Sequence, residues 1–172
     1  MKSARGRSAC VAIATCFYLS YIPVKIARLF RAEGGETGNR WTGSGFAGTL
    51  AGWAVLYALP GRPAAYGLLV ALACAAACWV SGIAEEELGR RDDPRIIIDE
   101  VVGYWVAVAF LPRSWKLLAA GFVLFRFLDT VKLPPYKSLE NLPGGAGVVM
   151  DDVGAGIVAN LCLRLIGLWA PW

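Results

Sequence analysis

Three groups of ionisable residues interrupt an otherwise apolar chain: Asp99-Glu100, Arg126-x-x-Asp129-x-x-Lys132 and Asp151-Asp152. Neighbouring like charges repel and resist removal from water. Five carboxylates against two bases leave a net −3, an excess that a purely structural salt-bridge network does not need. Carboxylate oxygens bind hard divalent cations such as Mg²⁺, which keep positions open for phosphate oxygens. Ionisable groups within apolar segments are costly and by default mark function. These residue types and spacings predict metal-assisted chemistry on a phosphate-bearing substrate, with Arg126 and Lys132 holding the phosphate and stabilising transition-state charge.

Arg126 and Asp129 are three apart and share a helix face. Adjacent acids on a helix point about 100° apart, so each acid pair divides between a metal ligand and a supporting residue or base. The competing readings are structural ion pairs and, for Asp151-Asp152, acids complementing a helix N-terminus. Gly144-Gly145-Ala146-Gly147 precedes the last acid pair. It offers backbone N–H groups to a phosphate or serves as a hinge or close-packing site. Asn160 falls on one helical face with Asp152 and Gly156, and Thr49 is a further polar candidate.

Composition sets the surroundings. The 172 residues suit one domain. The apolar fraction is 57% and the charged fraction 17%, against about 45–50% and 25% in soluble domains, which points to a membrane protein. A net charge of +4 suits an anionic membrane surface. No dense basic run interleaved with aromatics suggests nucleic acid. The absence of histidine excludes a Ser-His-Asp triad, a phosphohistidine mechanism and histidine-ligated zinc. Five cysteines, none in a C-x-x-C pair, read as buried small hydrophobes.

The elements that must position these residues read as helices. Residues 9–30 form one or two interfacial or packed helices, basic towards both ends, and residues 31–43 a loop. Ser44–Leu59 carries closely spaced glycines that let helices approach. Ala64–Ala84, some 21 residues without charge, is the best spanning candidate, ending at Glu85-Glu86-Glu87. Ile96–Leu111 and Trp115–Leu128 are shorter apolar runs, the second closed by Asp129. A proline-bearing loop over 130–143 precedes the final run, Val153–Trp169. The expectation is an all-α, membrane-embedded bundle of several short apolar helices, with three to five crossings and the acidic site at one end. Residues 1–43 form its basic N-terminal part and 44–172 its core.

If the turns at 60–63 and 112–115 share one side of the membrane, all 13 acids gather at the other. So do 13 of the 17 Lys and Arg, the exceptions being Arg62, Arg113, Lys116 and Arg164. The excess of Lys and Arg makes the acidic side cytoplasmic.

The ordered set Gly48-Thr49, Ile98-Asp99-Glu100-Val101-Val102-Gly103, Phe125-Arg126-x-x-Asp129-x-x-Lys132-x-x-Pro135 and Gly144-Gly145-x-Gly147-x-x-Met150-Asp151-Asp152-x-x-Ala155-Gly156 resembles the phosphatidylglycerophosphatase A family over residues 44–165, and more weakly over 10–43. Two departures stand out. Ser44-Gly45-Phe46 replaces the usual Pro-Gly-Thr, and Lys132-Leu133-Pro134-Pro135 replaces Lys-Pro-x-Pro. The resemblance implies a Mg²⁺-dependent lipid phosphatase of the bacterial inner membrane, converting phosphatidylglycerophosphate to phosphatidylglycerol and phosphate. On this reading Asp99, Glu100, Asp129, Asp151 and Asp152 contact metal, with Glu100 or Asp152 also serving as base or nucleophile. Arg126 and Lys132 act on the phosphate, and Thr49, Gly144 and Gly145 help bind it. The alternative is a non-enzymatic channel or transporter subunit with an acidic ion site, which would place the acids along a path at mid-membrane depth. A CDP-alcohol phosphotransferase would show D-x-x-D-G-x-x-A-R, which the chain lacks.

Overall fold

A computed structural model describes residues 4–31 and 43–169; the loop expected over 31–43 lies almost wholly outside them. The described residues are helical, without strands. In order they form α1 (Ala4–Ala14), α2 (Tyr21–Arg31), α3 (Ser44–Leu56), α4 (Pro63–Leu88), α5 (Ile98–Ala107), α6 (Trp115–Val131), α7 (Pro134–Lys137), a 3-10 turn (Ser138–Asn141) and α8 (Gly145–Trp169).

The expected elements are present, but several boundaries move towards the acidic residues. The segment over 9–30 is two helices, because Cys16, Phe17 and Tyr18 all adopt positive φ, which no helix tolerates. The helix predicted to end at Ala84 continues through the three glutamates to Leu88, and Gly89 stops it at φ 72°. Asp129 sits inside α6 rather than beyond it. The apolar run at 96–111 contains a helix of only 10 residues. The last helix begins at Gly145, so Asp151 and Asp152 lie two turns into it and not at its mouth. Two helices are long and apolar enough to cross a membrane, Pro63–Leu88 and Gly145–Leu168, and Ser44–Leu56 is a shorter apolar helix.

Helix α5 lies at the centre, packed against α3, α4, α6 and α8. The close approach on α8 depends on glycine. A Cβ on Gly103 would come 2.8 Å from the Phe125 ring and 3.0 Å from the Asp152 Cβ. The core gathers Tyr104, Phe122 and Phe125 with Trp53. The polar atoms of its buried aromatic side chains Tyr104, Tyr66 and Trp105 are paired, as an interior without water requires. Tyr104 donates to the Leu118 carbonyl (3.0 Å), Tyr66 to Trp105 (2.7 Å) and the Trp105 indole to Gly52 (2.8 Å). Leu68, Leu72, Trp79, Leu161 and Leu165 point outward, an apolar surface suited to lipid.

Candidate active site

The first turn of α5 carries Asp99 and Glu100, where acids complement the positive end of the helix. The loop before it is clamped. Arg95 donates from Nε and Nη2 to the two oxygens of Asp93, each at 2.7 Å, and its backbone N–H adds a third bond at 2.9 Å. Burial works to raise the Asp93 carboxyl, but the hydrogen bonds and charge of Arg95 hold it below the usual carboxylate range. Ser20 donates to the Arg95 carbonyl at 2.5 Å and the Ile97 N–H to Ala14 at 2.9 Å. The N-terminal helices thus fix where α5 starts.

Asp99, Glu100 and Asp152 each bring one carboxylate oxygen within 4.8 Å of the other two. Asp99 and Asp152 are 7% and 4% exposed, so water does little to screen their repulsion. Asp129 on α6 presents its carboxyl to that of Asp152 and pairs with Arg126 Nη1 at 3.0 Å. The Arg126 guanidinium and the Glu100 carboxylate both border the space that Gly45 leaves open; a side chain at Gly45 would strike both groups. Thr49 steadies this corner, donating to the Gly45 carbonyl (2.9 Å) and accepting a long bond from Arg126 (3.5 Å).

Lys132 stands apart from this cluster. It caps α6 in a left-handed conformation, φ 47°. Its Nζ donates to Asp151 Oδ2 at 2.7 Å and to Glu140 Oε2 at 3.2 Å. Burial works to lower the Lys132 ammonium, but Asp151 first and then Glu140 raise it, so it stays cationic. Asp151 therefore faces its own base, outside the three-oxygen group of Asp99, Glu100 and Asp152. Gly144 is exposed at φ 58°. Gly145 is buried against the Cys78 carbonyl and Gly82 of α4, and Gly147 against the carbonyls of Glu140 and Leu142. The glycine-rich stretch forms a tightly packed helix start.

Glu140 was missed by sequence reasoning. It falls within a stretch read as loop, and eight residues separate it from Lys132; only the turn through α7 and the 3-10 helix joins them. Tyr136 holds that turn, donating to the Leu128 carbonyl at 2.7 Å, and Arg91 donates to Glu140 O at 2.7 Å. Asn160 contacts no member of the acid cluster; its amide donates to backbone carbonyls at the end of α5.

The donor set fits a hard cation. Glu100 Oε2, Asp151 Oδ1 and Asp152 Oδ2 are buried without a hydrogen-bond partner. Ionised carboxylates only accept, and leaving buried acceptors unpaired costs on the order of 1–3 kcal/mol each. Bound Mg²⁺ would satisfy such oxygens and offset their excess charge.

Comparison with known proteins agrees with this chemistry. The phosphatidylglycerophosphatase A family model matches residues 12–167. The Escherichia coli K12 protein named phosphatidylglycerophosphatase A is 34% identical over 117 residues, 67% of each chain. Its Haemophilus influenzae Rd namesake is 34% identical over 104 residues, 59% of this chain and 64% of that one. A Bacteroides thetaiotaomicron protein described provisionally as a phosphatidylinositol-3-phosphatase is 37% identical over 101 residues, 56% of this chain and 62% of that one. No solved structure matches. The family match spans the clamped loop, the carboxylates and both cations, and on that match the chain belongs to the phosphatidylglycerophosphatase A family and is a phosphatase, a hydrolase of phosphoric monoesters.

Proposed function

We propose that this phosphatase removes the terminal phosphate of phosphatidylglycerophosphate, giving phosphatidylglycerol, at the cytoplasmic face of a bacterial inner membrane with Mg²⁺ as cofactor. The observation that carries the proposal is the set of three carboxylate oxygens within 4.8 Å, two of the carboxylates having unpaired buried oxygens, beside Arg126. The names of two relatives supply the head group, and the bias of Lys and Arg supplies the orientation.

Asp99, Glu100 and Asp152 would hold the metal, with Asp129 beside Asp152 and Asp151 able to join only through its unpartnered Oδ1, its Oδ2 being held by Lys132. When bound, Mg²⁺ supplies charge neutralisation at the phosphoryl oxygens and makes water more acidic. Arg126 binds a phosphate oxygen from its place between Glu100 and Asp129, as a bidentate guanidinium suits, and Thr49 holds it there. Lys132 supplies a second cation once the phosphate competes with Asp151 for its ammonium. Gly144, exposed at the α8 N-terminus, would border the phosphate, while Gly145 is taken up by its contact with α4. Glu100 accepts the proton of the attacking water as oxygen bonds to phosphorus. The ester P–O bond breaks, and that proton returns to the leaving glycerol oxygen.

The channel reading is disfavoured because the described acids collect at one end of the bundle. The test is a substrate screen. Purified protein with Mg²⁺ is given phosphatidylglycerophosphate, phosphatidic acid or phosphatidylinositol 3-phosphate, and free phosphate is measured. Preference for phosphatidylglycerophosphate is expected. Turnover of the inositol lipid alone would overturn the head-group assignment, and turnover of none would overturn the function.

A further inference from the structure

Helix α5 is half a membrane helix. Ten residues rise about 15 Å, against roughly 30 Å of hydrocarbon. Its last carbonyls fall where the helix offers them no donor, and in an apolar interior each unpaired one is costly. Asn160 on α8 meets part of this need, adding to the Ala109 N–H that the Val106 carbonyl already accepts at 3.1 Å. Its Nδ2 donates to the carbonyls of Val106 (3.3 Å), Ala107 (2.9 Å) and Ala109 (3.0 Å). Arg164 donates from Nε to Asn160 Oδ1 at 2.8 Å, which fixes the amide's orientation, and from Nη2 to the Ala109 carbonyl at 3.1 Å.

The same face of α8 meets α5 along its length. Asp152, Gly156, Asn160 and Arg164 recur at every fourth position. Asp152 lies with Asp99 and Glu100 at the start of α5. Gly156 abuts the Gly103 carbonyl, and a Cβ there would lie 3.2 Å from the Ala107 N. Asn160 closes the far end. Glycine contacts alone leave two smooth helices free to slide; the two N–H groups of one amide, shared among three carbonyls, do not.

We infer that Asn160 is a positioning residue: by capping α5 it sets the axial register of α5 on α8, and so the spacing of Asp99 and Glu100 from Asp152. Eight residues separate Asn160 from Asp152, about 12 Å of helix, so it acts only through the helix. A slip of one residue moves a side chain by about 1.5 Å along the axis and 100° around it. Mg²⁺ requires near-octahedral oxygens at about 2.0–2.1 Å, so even a fraction of that slip weakens the site. This inference rests on the metal reading proposed above.

The test measures metal binding without turnover. The thermal midpoint of purified protein in detergent is followed as Mg²⁺ is added after chelation, for wild type, Asn160→Ala and Arg164→Gln. Phosphatidylglycerophosphate KM and kcat are measured alongside. Asn160→Ala should need at least about tenfold more Mg²⁺ for half its thermal shift, as removal of supporting groups around metal ligands does elsewhere. Its KM should stay within about twofold of wild type at saturating Mg²⁺. Arg164→Gln, which leaves the Asn160 donors in place, should shift the Mg²⁺ requirement in the same direction by less, and it carries the test if Asn160→Ala does not fold. A lower thermal midpoint with an unchanged Mg²⁺ requirement would make the cap merely structural and overturn the inference. No Mg²⁺ shift in the wild type would instead overturn the metal reading, and the inference with it.

Discussion

The carboxylate cluster makes a prediction whose sign differs from that of an ordinary core substitution. Asp152→Asn removes one of three charges whose oxygens lie within 4.8 Å. At that distance and an effective dielectric of about 20, each pair of unit charges repels by about 3.5 kcal/mol. Neutralising Asp152 abolishes two of the three pairs, about 7 kcal/mol of repulsion at that separation and dielectric. The Arg126 guanidinium, paired with Asp129 and close to Glu100, offsets part of this in the wild type, which leaves a gain on the order of 1–3 kcal/mol. Metal-free Asp152→Asn should therefore unfold later than metal-free wild type, by about 2–4 °C per kcal/mol at this size. With Mg²⁺ the order should reverse, because the wild type gains a ligand bound only by the native state and the variant does not. The assay is thermal unfolding in detergent, with chelator and then with Mg²⁺. A variant less stable than wild type in chelator that still responds to Mg²⁺ would refute the electrostatic reasoning.

Three further predictions follow from the neighbouring contacts. Gly103→Ala should lower stability by about 1–3 kcal/mol, read as a lower thermal midpoint, because its Cβ would lie 2.8 Å from the Phe125 ring. Lys132→Gln should cost about 1–3 kcal/mol by leaving Asp151 buried without its base; adding Asp151→Asn should restore stability without restoring phosphate release. Asp93→Asn should destabilise at neutral pH and much less in acid. The folded Asp93 carboxyl is held below its usual range, so its contribution is present above the unfolded value and lost as pH falls through the folded one. Unfolding of wild type and Asp93→Asn across pH 3–7, on the order of ordinary carboxylate titration, should therefore converge at the acid end.

Much of the site could be read from residue spacing because acids in apolar runs are costly wherever the helices lie. Asp99, Glu100 and Asp152 needed only a helical class and a common end to be brought together. Their partners were less legible. Lys132 meets Asp151 and Glu140 only because Pro134–Lys137 and the turn after it fold back on α8, a path no periodicity encodes. Helix ends were misplaced where a charge was taken as a boundary. Glu85, Glu86 and Glu87 continue α4 because glutamate is a good helix former and their side chains find partners there, Glu86 and Glu87 in Arg7 and Glu85 in the Asp92 N–H. Asn160 showed its place on the Asp152 face but not its partners, since the carbonyls it caps belong to another helix. The glycine run before Met150 reads equally as a phosphate loop or as a close contact; the carbonyl of Cys78 against Gly145 depends on how α4 packs.

The central claim is that these carboxylates hold the metal on which phosphate release depends. Its most direct measurement uses chelator-stripped protein in phosphatidylglycerophosphate vesicles, with Mn²⁺ in place of Mg²⁺ so that bound metal is counted by electron paramagnetic resonance while phosphate is assayed. The account predicts no turnover without metal, activity rising in step with bound Mn²⁺, and loss of both in Asp99→Asn. Full turnover in chelator, or Mn²⁺ binding unaltered in Asp99→Asn, would contradict it.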